Sequence, residues 1–201
     1  MTDPSLPTRA DTLALMEEYT ASDSLRKHML SVEAVMRAYA QQFGEDVERW
    51  GITGLIHDFD YERFPNSEHS PTAGHPAEGV RILRERGYPE DILEAILGHA
   101  TYSGTPRETL MAKTLFAVDE LTGLVTATAL VRPSRSVSEV EGKSVRKKMK
   151  DKAFARGVSR EDVITGAEEL GVPLDDHIAF VIRAMQSVAA EIGLGGVDAA
   201  S

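Results

Sequence analysis

Six histidines and a complete absence of cysteine set the chemistry open to this 201-residue chain. Without thiols there can be no disulfide, no thiolate nucleophile and no cysteine-based zinc or iron–sulfur site. His28 falls in phase with Leu25 and Val32, so it faces inward. His57 closes the apolar stretch TGLIHDFD and is followed at once by Asp58. His75 lies near the start of one expected helix, His99 near the end of the next, and Asp119 in the middle of a third, beside Leu115 and Thr122. A carboxylate on such a face is expensive to bury unless a cation or a hydrogen-bonded partner neutralises it. Taken singly, His28 reads as a core histidine, and Asp119 as a loop cap or an arginine partner. Taken together, four histidines and two aspartates bordering apolar helix faces point to a metal site. Neutral imidazole and carboxylate suit iron, manganese, zinc or nickel. His69, in the loop FPNSEHSPT, and His177, next to Asp175 and Asp176, are expected on the surface.

The elements that must position these residues are helical, since the hydrophobic period is three to four nearly everywhere and no stretch alternates with period two. Leu25, Met29, Val32, Met36, Tyr39 and Phe43 form one stripe, with Ser22 or Asp23 as N-cap and Gly44 as stop. A second helix is expected over 47–59, and a third from a cap at Thr72 to about Arg86. Pro89 opens a fourth that places Ile92, Ile96 and His99 on one face. A long helix follows from about Arg107 to Leu130, ended by Arg132-Pro133. A basic helix over 140–154, a short one over 160–170 and an amphipathic one through Ile178, Val181, Ile182 and Met185 complete the set. Trp50 and Tyr39 sit at helical spacing and read as core. The expected fold is all-α, a single-domain bundle of about nine helices. Its parts are an N-terminal helix at 1–20, a metal-binding core at 21–132, C-terminal helices at 133–194 packed on that core, and a flexible tail at 195–201.

The order His28, His57-Asp58, Asp119 on successive helices resembles the HD superfamily of metal-dependent phosphohydrolases. LIHDFD is similar to that family's HDIG-type signature, with Phe59 and Asp60 in place of Ile and Gly. His75 and His99, between the HD pair and the last aspartate, resemble the extra ligands of the two-metal branches. Those branches include the HD-GYP phosphodiesterases and the bacterial di-iron diadenosine tetraphosphate hydrolases. The resemblance covers about residues 20–130. It implies that His28, His57, Asp58 and Asp119 hold one metal, and that Asp58 bridges to a second held by His75 and His99. One or two divalent ions are implied, from iron, manganese, zinc, nickel or magnesium, with iron or manganese favoured for a binuclear centre. A metal-bound water would be the nucleophile, with Asp58, Asp60 and Glu62 as catalytic candidates; either Asp60 or Glu62 could orient water or hold a ligand histidine. Tyr61 stands where HD-GYP proteins carry a lysine, and Gly87-Tyr88-Pro89 reads as a helix stop and restart.

Acidic residues outnumber basic ones, 32 to 22, for a formal charge of −10. That balance argues against a protein that coats nucleic acid or an anionic membrane. One segment reverses it: residues 143–160 carry eight basic residues and one acid. Lys143, Arg146 and Lys147, with Arg132 and Arg135 before them, are the candidate contacts to a phosphorylated substrate. The start shows no basic n-region, and no apolar run is long enough to span a bilayer, so a cytoplasmic location is expected. The function expected is hydrolysis of a phosphate ester or anhydride of a small nucleotide-like molecule, with neither membrane nor nucleic acid as partner. Two alternatives share the ligand set: a di-iron oxygenase of HD type, and a non-catalytic, metal-stabilised sensor or binding domain.

Overall fold

A computed structural model describes residues 6–196 of the chain. Residues 197–201, most of the tail expected at 195–201, lie outside the described residues. Among those described there are nine α-helices and no strand, with one isolated bridge between Ser136 and Gly195. The all-α expectation is met. Two compact units divide the chain, Met1–Phe116 and Ala117–Ser201. No described helix is long and apolar enough to cross a membrane.

The first unit holds α1 (Arg9–Tyr19), α2 (Asp23–Phe43), α3 (Val47–Ile56), α4 (Ala77–Glu85), α5 (Glu90–His99) and the start of α6 (Leu110–Leu130). Ser22 caps α2 by accepting from the Leu25 N–H, and Gly44 ends it in the left-handed conformation at φ 75°. The apolar stripe of α2 (Met29, Val32, Met36, Tyr39) is buried, and so is Trp50. Two glycines let α3 lie close against α2. A Cβ on Gly54 would sit 3.0 Å from the Glu33 backbone, and one on Gly51 would meet the Arg37 guanidinium at 2.5 Å. Along that seam the buried Glu33 carboxylate takes a bidentate pair from Arg9, at 2.6 and 2.9 Å, and a third bond from Arg37 at 2.8 Å. Arg37 also reaches Glu48 at 2.7 Å. These ties fix the two helices that carry His28 and His57.

Two expected boundaries shift here. α3 ends at Ile56 rather than Phe59, and residues 57–63 continue as tight turns. The next helix begins at Ala77, not after Thr72, because Gly74 adopts φ 70°, a left-handed conformation that no α-helix continues through. Its far end is as expected, with Gly87 at φ 81° and Pro89 preceding α5. Gly87-Tyr88-Pro89 is a stop and restart, and the Tyr88 hydroxyl is 2.9 Å from that of Thr12.

The second unit contains the rest of α6, then α7 (Gly142–Met149), α8 (Arg160–Leu170) and α9 (Leu174–Ser187). The basic helix is shorter than the expected 140–154; Met149 ends it and residues 150–158 run irregularly. Gly166 brings α8 against α6, since a Cβ there would stand 2.5 Å from the Ala117 Cα. Val163, Ala167, Ile178, Val181 and Met185 fill the interior. His177, expected on the surface, is instead fully buried and donates from Nε2 to the Ala117 carbonyl at 2.9 Å. Its acidic neighbours Asp175 and Asp176 belong to the exposed first turn of α9, whereas His177 falls on the face shared with Ile178 and Val181. Burial holds its pKa below the ordinary value, partly offset by the Ala117 hydrogen bond.

Candidate metal centre

His57 and Asp58 follow the last residue of α3, where the chain leaves the helix and can turn adjacent side chains toward one point. His28 comes from the first turns of α2, His99 from the last residue of α5, and His75 from the loop before α4. All four imidazoles bring Nε2 to the Asp58 carboxylate. His75 and His99 approach Oδ1 at 3.3 Å each, His57 approaches Oδ2 at 3.6 Å and His28 approaches Oδ2 at 3.8 Å. The two oxygens thus face two histidine pairs. His28, His57 and Asp58 offer donor atoms within 4.8 Å of one another, and so do Asp58, His75 and His99.

The opposite edges of the rings are tied down. His57 Nδ1 donates to the Gly54 carbonyl at 2.8 Å, and His99 Nδ1 donates to the Ile96 carbonyl. His75 Nδ1 donates to Asp60 Oδ1 at 2.7 Å. Each acceptor lacks a proton of its own, so Nδ1 must carry a hydrogen, and in the neutral ring Nε2 presents a lone pair. His75 Nε2 and His99 Nε2 are 3.2 Å apart, beside a carboxylate oxygen, in a buried position. Three electron pairs brought together out of water repel unless a cation joins them. A donor set of imidazole nitrogen and carboxylate oxygen, without sulfur, fits iron, manganese, zinc or nickel. Outer contacts of this kind are what a metal-ligating histidine requires for tautomer and orientation.

Asp60 is fully buried, and its second oxygen accepts from the Gly79 N–H at 2.8 Å. A Cβ on Gly79 would overlap that carboxylate at 2.5 Å, so glycine is what admits Asp60 to the first turns of α4. Burial disfavours a charged His75, but the Asp60 hydrogen bond and the charges of Asp58 and Asp60 outweigh it, leaving the pKa above the ordinary value. Two further residues, not singled out by the sequence, hold the His75 backbone. Tyr102 Oη donates to the His75 carbonyl at 3.0 Å, and Asn66 Nδ2 donates to the same oxygen at 2.8 Å. Burial and the negative charge of Asp58 push the Tyr102 phenol up to about 12, so it remains a donor. The signal for Asn66 was its place in a Pro-Asn-Ser turn; Tyr102 had none.

Glu62, His69 and the basic candidates lie elsewhere or act otherwise. Glu62 is exposed, and its carboxylate accepts from the Ala21 and Ser22 N–H groups at 3.0 Å, anchoring the start of α2. His69 is exposed, as expected, and stacks on Tyr102 at 4.7 Å between ring centres. Asp119 is half-buried in α6, three residues beyond Phe116. In the second unit, Lys143 pairs with Glu141 at 2.7 Å and Arg146 with Asp175 at 3.0 Å. Arg132 donates to Ser144 Oγ at 3.1 Å, Lys147 is exposed, and Arg135 is exposed with φ 50°.

Comparison with known proteins agrees with the geometry. The model of the HD domain matches residues 25–124. Ribonuclease Y from Nitratidesulfovibrio vulgaris strain DP4 is 28% identical over 102 residues, which are 51% of this chain and 18% of that protein. Ribonuclease Y of strain Hildenborough gives the same figures. The chain thus spans under a fifth of the length of these curated relatives. No solved structure matches. Two histidine pairs around one aspartate, the HD dipeptide at the end of α3 and the family match over the same residues lead to one conclusion: residues 25–124 form an HD domain, and the chain belongs to the HD superfamily of metal-dependent phosphohydrolases.

Proposed function

We propose that this chain hydrolyses a phosphate ester or anhydride of a small, nucleotide-like compound. The observation that carries the reading is the convergence of four Nε2 atoms on the Asp58 carboxylate, with three of the rings fixed from behind. His28, His57 and Asp58 would hold one divalent ion, with Asp119 as its fourth ligand. Asp119 is supported by the family match, which runs to residue 124, and by the unbroken course of α6 from Leu110 to Leu130. Asp58, His75 and His99 would hold a second. Bound there, such ions supply Lewis acidity and a water acidic enough to attack phosphorus at neutral pH.

The chain's own residues keep that geometry. Asp60 retains the proton on His75 Nδ1, the Gly54 and Ile96 carbonyls do the same for His57 and His99, and Tyr102 and Asn66 fix the His75 backbone. The net reaction forms one phosphorus–oxygen bond from water and breaks another, and the leaving oxygen takes up the water's proton. The relatives' name points to RNA as a substrate class, but a formal charge of −10 disfavours a polynucleotide and favours a small phosphorylated molecule.

Elemental analysis of the purified chain, paired with a phosphate-release screen over mono-, di- and dinucleoside phosphates, tests the proposal. The expected result is one or two transition-metal equivalents per chain and turnover of at least one substrate, both lost in Asp58→Asn. Absence of metal from aerobic and anaerobic preparations overturns it. Oxygen consumption without phosphate release would replace it with the oxygenase, and metal without any turnover would replace it with the sensor.

A further inference from the structure

The eight cations between residues 143 and 160 are not equivalent. Lys143 and Arg146 line one cleft of the second unit, but both are already paired with carboxylates, Glu141 and Asp175. A neighbouring cleft of about 370 Å³ has Arg132, Ser144, Lys147, Lys148 and Asp151 among its lining residues. Here the charges stand differently. Neither Lys147 nor Lys148 makes an ion pair among the described residues; Lys148 lies instead 4.2 Å over the Phe154 ring. Arg132 is held by Ser144 Oγ at 3.1 Å, its Nε is buried with no acceptor, and its nearest carboxylate, Glu139, is 3.9 Å away. The guanidinium is therefore oriented but poorly neutralised. Three cations against Asp151 give the cleft a net charge of +2.

We propose that this cleft binds a phosphate dianion, free or as a phosphomonoester, through Lys147, Lys148 and Arg132. The charge matches, because a phosphomonoester carries close to two negative charges at neutral pH. The orientation matches as well: a guanidinium fixed through one nitrogen keeps its remaining N–H groups for a tetrahedral anion, at little entropic loss. Ser144, inside α7, serves as the positioning residue that holds Arg132 toward the cleft. The site uses none of the metal-centre residues and does not depend on the proposed hydrolysis.

The test is calorimetric titration of the whole chain, stripped of metal, with inorganic phosphate and, separately, with a nucleoside 5′-monophosphate. Stripping the metal removes phosphate capture at the HD centre as a contribution. Removing one charge-assisted hydrogen bond weakens binding by about tenfold, so Lys147→Gln/Lys148→Gln is expected to weaken phosphate binding by about a hundredfold. Lys152→Gln, in the same basic segment but outside the cleft, is expected to leave affinity within about twofold. Comparable affinity for the two titrants locates recognition in the phosphate; much tighter binding of the nucleotide extends the site to the base and sugar. No phosphate binding by the unaltered chain, equal affinity in the double variant, or an equal loss in Lys152→Gln each overturns the proposal.

Discussion

Asp60→Asn isolates the least visible part of the metal centre. The change preserves side-chain shape, so the tight approach of Gly79 is undisturbed. It removes one acceptor, however. The Gly79 N–H, at 2.8 Å, can only donate, so the amide oxygen of the asparagine must face it. The amide nitrogen then faces His75 Nδ1 at about the former 2.7 Å and donates to it, and the imidazole proton moves to Nε2. His75 now points an N–H, not a lone pair, at Asp58 and His99. Loss of such an outer partner typically weakens metal affinity about ten- to a hundredfold, which is about 1.4–2.7 kcal/mol. The folded chain itself should lose only about 1–2 kcal/mol, because each hydrogen-bonding position keeps a neighbour. Competition with a chelator of known affinity, alongside thermal melts of the metal-free protein, separates the two effects. Only the ion held by Asp58, His75 and His99 should weaken, and the pH dependence of its binding should change with it. Unaltered affinity and pH dependence in a folded Asp60→Asn protein would refute the assignment of the His75 tautomer.

Other consequences follow from the same contacts. His75 has a raised pKa in the metal-free chain, so its proton must leave before a metal binds; metal-induced stabilisation should therefore grow as pH rises through and above the ordinary histidine range. The same shift makes the metal-free chain gain stability from His75 below the ordinary histidine pKa and lose it as pH rises through the raised value, which melts in a chelator series will show. His177 has the opposite sign: with its pKa depressed by burial, its contribution is full above about 6.5 and declines on acidification, and His177→Gln should flatten that acid limb. Glu33→Ala strands Arg37 and Arg9 beside a buried seam and should destabilise by about 3 kcal/mol, the lower end of the usual range because Arg37 keeps Glu48 and Arg9 is partly exposed; chemical denaturation measures it.

The sequence disclosed part of this cluster because some of its members sit in helical phase. His28 shares the stripe of α2, and the HD dipeptide ends the apolar α3, so helical phase alone carries them inward. Capping by Ser22 and the stop at Gly44 are readable for a similar reason, since both act through local backbone chemistry. Distant pairings are not readable. Asp60 and Glu62 are two residues apart and chemically alike, yet one is buried against His75 and Gly79 while the other serves the start of α2; only the tight turns after Ile56 decide which. A surface position for His177 fails because its neighbours in sequence are acids, whereas its neighbours in space are Ala117 and the inner face of α9. The expected start of α4 comes too early because a threonine cap is visible in sequence, and a glycine held at positive φ is not.

The division of labour within Asp58 bears on how such a centre could diversify. One oxygen serves His28 and His57, the other His75 and His99, so this aspartate alone belongs to both halves. The half made by Asp60, His75 and His99 lies within one contiguous stretch of 40 residues, apart from the α2–α3 seam. Loss of that stretch's histidines would leave α2 and α3 intact, whereas altering Asp58 would affect both halves at a stroke. In the proposed centre, the number of ions held would thus be adjustable without rebuilding the scaffold.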